Sequence, residues 1–211
     1  MASVPVKALE QEPIQRLPAG SHGIPAEVVA LNQRERLISA IAEVCAEKGY
    51  AEIAVADVVR RAGVSTATFY KRFSGKRDCM LAAHEELSER LLEEVDRVCA
   101  AASDWEGGVR AAIANVLGLL AADAPTARQL TVEILALGPE GATRHAAMIE
   151  SLAARLRAAR GPSRDPESPL SAWATVAAIA ALVGKVVMDA EAPALPAFED
   201  ELVTLVLAPR R

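Results

Sequence analysis

The sequence contains few aromatic residues and few cysteines. Phe, Trp and Tyr make up 3% of its 211 residues, so aliphatic side chains must form most of any core. Cys45, Cys79 and Cys99 are widely spaced and form no Cys-x-x-Cys pair or Cys/His ligand pattern, which argues against a metal site. We expect reduced thiols in a cytoplasmic protein, with a redox-sensing cysteine as the alternative.

Motifs of the common enzyme classes are also missing. None of His22, His84 and His145 follows a Glu by three residues, the spacing that helical di-metal enzymes need. The segment at His84 lacks the second histidine of a zinc-protease helix, and no P-loop, dinucleotide-binding glycine pattern or nucleophile elbow is present. We therefore expect a protein that is not an enzyme and needs no cofactor.

Long apolar runs and a secretory signal are not apparent either. No apolar run reaches the roughly 18 residues that a membrane helix needs, and the N-terminus shows no basic segment followed by an apolar one. We expect no membrane partner. Hydrophobic residues nevertheless make up 52% of the chain, with Ala and Leu abundant and β-branched runs few. This composition favours an all-helical protein.

The charge is unevenly distributed. The chain carries a net charge of −5, yet between Val55 and Asp78 six basic residues oppose two acidic ones. A basic segment on an acidic body favours an approach to phosphate groups. The alternative is an ordinary solvated cluster of charges.

The basic segment has the pattern of two short helices joined by a tight turn. Val55, Val58 and Val59 share one face of the first helix. Gly63 can end that helix in a left-handed conformation, and Ser65 can cap a second helix over residues 66–73. This is a helix-turn-helix, whose second helix enters the DNA major groove; a small surface helix without DNA contact is the alternative.

The second helix carries side chains suited to DNA. Phe69 and Phe73 are four residues apart and can face the core together. The other residues offer hydroxyls and a phenol for phosphates, methyl groups for thymine, and cations for guanine. These candidates are Thr66, Ala67, Thr68, Tyr70, Lys71 and Arg72.

The stretch AGVSTATFYKRFSGK, residues 62–76, resembles the DNA-binding segment of the TetR family of bacterial transcriptional regulators. The matching residues are Ala62, Gly63, Val64, Ser65, Thr68, Tyr70, Phe73 and Lys76. Ala67 stands where the family often has Gly, and Arg72 where it often has His. The resemblance extends from Arg34 to about Leu81 and implies a phosphate contact by Arg34, for which an ordinary surface arginine is the alternative. Ser65 is a further DNA-binding candidate. Lys76, together with backbone N–H groups at the start of the following helix, suits a further phosphate.

Breakers and periodicity divide the chain into three parts. Residues 1–31 carry four prolines and two glycines and predict a flexible arm. Residues 32–78 form the DNA-binding head, whose first helix begins near Asn32 and ends at Gly49. Residues 79–211 form a helical body. Its helices are expected over about 76–102, 104–124, 125–137, 141–160, 170–189 and 197–207, with a polar loop at 161–169. The resemblance implies an all-α, TetR-like fold of about nine helices.

The last two helices are unusually apolar for surface elements. They could form an isologous four-helix interface with a second copy, or they could be intramolecular core. The resemblance favours a homodimer, which would place two recognition helices on a near-palindromic operator. The interface candidates are Trp173, Ala177, Ala180, Ala181, Gly184, Val187, Phe198, Leu202, Leu205 and Val206.

The middle helices could enclose a mostly apolar cavity for a small molecule; the alternative is that these side chains are simply core. The candidate ligand-binding residues are Trp105, Val109, Ile113, Val116, Leu117, Leu130, Glu133, Ile134, Leu137, Met148, Leu152 and Trp173, with Glu133 as a polar anchor. The resemblance implies a ligand-responsive repressor that binds a palindromic double-stranded DNA operator and is released by a small apolar effector. A helical regulator or interaction protein without a ligand response is the alternative.

Overall fold

The computed structural model describes residues 25–160 and 169–208, and this part of the chain is all helical. It contains nine α-helices and two 3₁₀ helices, the latter at Glu133–Leu137 and Ala192–Phe198. The expected all-α architecture is confirmed. The α-helices are α1 Ala26–Lys48, α2 Val55–Ala62, α3 Thr66–Tyr70, α4 Lys76–Ala100, α5 Trp105–Ala122, α6 Ala124–Thr131, α7 Pro139–Arg160, α8 Pro169–Met188 and α9 Glu199–Leu207.

The head consists of α1, α2, α3 and the first turns of α4. Their apolar faces meet in one core that includes Leu37, Ile41 and Phe69, each fully buried. α1 begins at Ala26, not near Asn32. Residues 26–31 contain no breaker, so the helix extends back to Pro25, which suits the position before a first helical turn. The remainder of the expected arm lies outside the described residues.

The body is built on the distal part of α4, with α5 to α9 packed around it. Its core joins residues such as Leu91, Leu117 and Leu130, all nearly inaccessible to solvent. The expected single helix over residues 125–137 is two helices, because α6 ends at Thr131 and a 3₁₀ helix follows Val132. α3 also ends early, at Tyr70, since the Arg72 amide N–H bonds to the Phe69 carbonyl and tightens the turn.

The expectation about long apolar runs was wrong for α8. Residues Leu170–Met188 form 19 helical residues with a mean hydropathy of 1.8, which is long and apolar enough to cross a bilayer. A core helix of a water-soluble protein satisfies the same criterion. α8 packs against α6 within the body: an added Cβ on Gly184 would lie 3.7 Å from the Thr131 side chain.

Candidate nucleic-acid interface and effector cavity

The turn between α2 and α3 is fixed by its own backbone conformation and by a side chain from α1. Gly63 adopts a left-handed conformation with φ of 62°, which glycine reaches without steric cost. The Arg36 guanidinium on α1 donates to the carbonyl oxygens of Ala62 and Gly63, two of the groups that a helix end leaves unpaired. The angle between the two helices is therefore set by α1 as well as by the turn.

The start of α3 is capped by a hydroxyl. The Ser65 Oγ accepts a hydrogen bond from the Thr68 amide at 3.0 Å and lies 2.9 Å from the Thr68 Oγ1. Both hydroxyls of this predicted DNA-binding pair are thus engaged in the cap, which stabilises the short helix. A role in contacting phosphate stays a prediction for Ser65 and Thr68.

The two faces of α3 separate as the sequence predicted. Phe69 is fully buried and Phe73 is 4% exposed, and their rings lie 5.8 Å apart in the head core. The outward face is formed by exposed side chains of small, aromatic and cationic types. These are Thr66, Ala67, Tyr70, Lys71 and Arg72.

The cations around α3 differ in whether they are already paired. Lys71 and Arg72 are exposed and make no ion pair with any described residue. The other four basic residues between Val55 and Asp78 are engaged: Arg60 with Asp57, Arg61 with Glu43 and Glu47, Arg77 with Glu140, and Lys76 with backbone carbonyls. The unpaired positive charge of this segment is therefore concentrated at the end of the recognition helix.

Arg34 and Lys76, the two predicted phosphate contacts outside α3, both have intramolecular partners. Arg34 forms an ion pair with Glu86 on α4 and lies over the Phe73 ring. The Lys76 ammonium donates to the carbonyl oxygens of Tyr50 at 3.0 Å and Ile53 at 2.8 Å. Lys76 closes the loop between α1 and α2, and its predicted phosphate contact would require these bonds to be given up.

Comparison with known proteins supports the family resemblance of the head. Residues 37–83 match the family model described as bacterial regulatory proteins, tetR family. The matched residues include the whole helix-turn-helix. A curated relative is YvdT of Bacillus subtilis (strain 168), an uncharacterized HTH-type transcriptional regulator that is 34% identical over 61 residues, 29% of this chain. That alignment spans 31% of the length of YvdT.

Solved structures resemble this chain over most of its length. FadR of Bacillus halodurans, a fatty acid degradation regulator, has a TM-score of 0.73 and 21% identity, covering 83% of this chain and 99% of its own. FadR of Bacillus subtilis, in complex with stearoyl-CoA, has a TM-score of 0.74 and 20% identity over 84% and 99%. A transcriptional regulator from Rhodococcus sp. Rha1 has a TM-score of 0.65 and 26% identity over 82% and 95%. These regulators share the fold of both head and body.

The body contains a cavity of about 510 Å³ that is partly open to solvent. α4, α5, α7, α8 and α9 all contribute to its wall. Six predicted ligand-binding residues line it, namely Trp105, Val109, Ile113, Val116, Leu117 and Leu152. The polar groups of the wall include Arg155, which binds Asp96 through two bonds of 2.8 and 2.9 Å. The space suits a mostly apolar molecule.

The other predicted ligand-binding residues do not line this cavity. Leu130 and Met148 belong to the body core, whereas Ile134 and Leu137 are buried in the head core. Trp173 is half-buried on α8, outside the cavity wall. Helical periodicity identified all of them as inward-facing, but it could not say which of two cores each one would enter.

Glu133 is buried, at 4% exposure, and binds protein groups. Its two carboxylate oxygens accept hydrogen bonds from the Tyr50 amide, at 2.8 Å, and from the Arg128 guanidinium, at 2.6 Å. The sequence suggested Glu133 as a polar anchor of the ligand cavity, but it does not line that cavity, and its partners are the head backbone and α6. The contact with Tyr50 could not be predicted because the two residues are remote along the chain.

The cavity wall contains residues that the sequence did not single out as ligand-binding. Val95 and Cys99 come from α4, and Ile179 and Val183 from α8. Their apolar or small side chains give no signal that separates a cavity wall from core. Cys99 is half-buried there, whereas Cys45 and Cys79 are inaccessible. Burial raises the pKa of all three thiols, that of Cys45 to about 12.

The predicted dimer-interface residues divide by burial. Val187, Leu202 and Val206 are buried within the chain, so the structure assigns them to its own core. Trp173, Ala177, Ala180, Gly184 and Phe198 are half-buried, and Ala181 and Leu205 are exposed. A line of exposed residues runs along α8 beside the predicted interface residues and shares Ala181 with them. It consists of Leu170, Ala174, Ala178, Ala181, Lys185 and Met188.

Proposed function

We propose that this protein is a cytoplasmic transcriptional repressor of the TetR family that binds a palindromic operator as a homodimer and is released by a small apolar molecule. The observation that carries the DNA-binding part is the outward face of α3. It presents Thr66 and Tyr70 beside Lys71 and Arg72, the two cations of the segment whose charged groups form neither an ion pair nor a hydrogen bond with the described side chains and carbonyl groups. Such a face offers base-edge and phosphate contacts together.

Selection of bound fragments from the source genome tests this part. We expect the wild-type protein to enrich a near-palindromic sequence. Thr66→Ala should change the enriched base at particular positions, because side chains at base edges determine sequence preference. The control is Arg97→Ala, which removes a cation at the far end of α4 and should leave the motif unchanged. A wild-type protein that enriches no motif would refute the proposal.

The effector part is supported by the cavity in the body. The cavity is lined mainly by aliphatic side chains with Trp105 and a few polar groups, the character expected of a small-molecule site. A protein of the same fold, FadR of Bacillus subtilis, has been solved with stearoyl-CoA. Stearoyl-CoA and stearic acid are therefore the first probes to try.

Alkylation of Cys99 reports occupancy of the cavity. Cys99 lines the wall, while Cys45 and Cys79 are buried away from solvent, so a maleimide should label Cys99 first. A probe that fills the cavity should slow this labelling and should also weaken operator binding. If a probe protects Cys99 and leaves operator affinity unchanged, the protein is a regulator without a response to that ligand.

The homodimer is supported by the exposed apolar line on α8. Leu170 is 71% exposed and Met188 is 60% exposed, and exposed apolar surface of this kind marks association sites. Leu205 on α9 adds a further exposed apolar side chain. Two such surfaces related by a two-fold axis would bury each other.

A further inference from the structure

The short segment between α6 and α7 joins the two cores of the protein. Leu130, at the end of α6, belongs to the body core, whereas Ile134 and Leu137 in the 3₁₀ helix belong to the head core. The helix break at Val132 lies between them. The 3₁₀ helix is therefore a piece of the body sequence that contributes two buried side chains to the head core.

The 3₁₀ helix is fixed to α7 by a close backbone approach. A Cβ added to Gly141 would lie 1.9 Å from the Ile134 carbonyl oxygen, a distance that no side chain could occupy. α7 in turn provides Leu152 and Arg155 to the cavity wall. A displacement of α7 by a ligand would therefore be passed to the 3₁₀ helix, and through it to the head.

One buried side chain spans the break and touches the head backbone. Glu133 accepts from Arg128 on α6 with one carboxylate oxygen and from the amide of Tyr50 with the other. The Tyr50 carbonyl accepts from Lys76 at the start of α4. The α1–α2 loop is thus held between α4 and the body, and Glu133 makes the body's half of this connection.

We propose, on the basis of the proposed function, that Glu133 is a positioning residue for DNA binding: it fixes the angle of the head on the body. The α1–α2 loop carries the start of α2, so its attachment sets where the recognition helix points. In a homodimer the angle of each head determines the distance between the two recognition helices. The Glu133 bridge therefore acts on the spacing of the heads, not on the contacts that one head makes.

A comparison of full operator and half-site separates these roles. A duplex with both half-sites requires the two heads at the correct spacing, whereas a duplex with a single half-site tests one head alone. The Glu133→Gln change nearly preserves the size of the side chain. It leaves only one acceptor oxygen for the two donors, the Tyr50 amide and the Arg128 guanidinium. We expect it to weaken binding to the full operator by about 5-fold to 150-fold, the range typical of coupling between sites, with half-site affinity unchanged.

Two further variants make the test independent of folding problems. Arg128→Gln breaks the same bridge at a side chain that is 30% exposed, so it should give the same result without disturbing the head core. Glu94→Gln is the control, because Glu94 is 15% exposed and pairs with Arg97 within α4. This control should leave both affinities unchanged.

The possible results are distinct. Loss of affinity for the full operator alone supports the inference. Equal loss for both duplexes, or no loss for either, overturns it, since the bridge would then maintain the fold of the head or do nothing for binding. A wild-type protein that binds neither duplex refutes the proposed function itself. Faster hydrogen exchange at the Tyr50 amide in Glu133→Gln would show directly that the bridge has opened.

Discussion

The pairing of cations around α3 predicts how DNA affinity depends on salt. Of the six basic residues between Val55 and Asp78, Lys71 and Arg72 have no ion-pair partner within residues 25–160 and 169–208, whereas the other four have acidic or carbonyl partners. A cation can release a condensed counterion only if its charge is free to neutralise a phosphate. The double variant Lys71→Gln/Arg72→Gln should therefore remove most of the salt dependence that this segment contributes.

The magnitude follows from the number of contacts. Each neutralised phosphate on duplex DNA contributes about 0.9 to the slope of log affinity against log salt concentration. Two cations in each of two recognition helices make four contacts per dimer. The double variant should therefore flatten the slope by about 3.6, and its loss of affinity should be greatest at low salt.

The assay is fluorescence anisotropy of a labelled operator over a series of KCl concentrations. Arg97→Gln is the matched control, since it removes one positive charge from α4 near its far end, where it pairs with Glu94. We expect its slope to equal that of the wild type. The assignment of these two cations would be refuted if the slope of the double variant differed from that of the wild type by less than about 0.9, the contribution of one phosphate contact. A control variant with an equally altered slope would refute it as well.

Three further predictions concern stability and assembly. Gly63→Ala should lower the free energy of unfolding in urea by about 1–2 kcal/mol because its φ is positive, whereas Gly118→Ala, with open space in α5, should not destabilise. Burial, with His145 close by, lowers the pKa of His84 to about 4. In the unfolded chain the His84 imidazole becomes protonated near pH 6.5, whereas in the folded protein it stays neutral down to about pH 4. The free energy of unfolding should therefore fall by up to about 3 kcal/mol between pH 6.5 and 4. His84→Leu should lose this pH dependence, and unchanged denaturation curves would contradict the assignment. Ala181→Glu, on the exposed line of α8, should sediment as a monomer, and the same change at exposed Ala154 on α7 should not; a stable Ala181→Glu dimer would exclude this interface.

The head could be predicted because its signals are local. The helix-turn-helix follows from the valines of α2, the glycine at the turn and the serine that caps α3, all within one short stretch. The structure reproduces the left-handed Gly63 and the Ser65 cap. The burial of Phe69 and Phe73 follows from the same helical period.

The charge of the head could not be predicted in the same way. A count along the sequence makes the segment strongly basic, but Glu43, Glu47 and Glu140 come from other helices and pair with two of its arginines. Lys76 likewise has partners across the fold. Because ion pairs form between residues that are distant along the chain, local charge overestimates the free positive charge.

The sequence alone determined the helical class, the helix-turn-helix and most helix ends, since each depends on neighbours within one or two turns. Only the tertiary structure decided which core each apolar helix face enters and which carboxylates neutralise which cations. It also decided that Glu133 binds the head backbone and lies outside the cavity wall. These choices depend on contacts between segments remote in sequence, and a periodic apolar pattern is the same whether a residue faces a core, a cavity or a second copy of the chain.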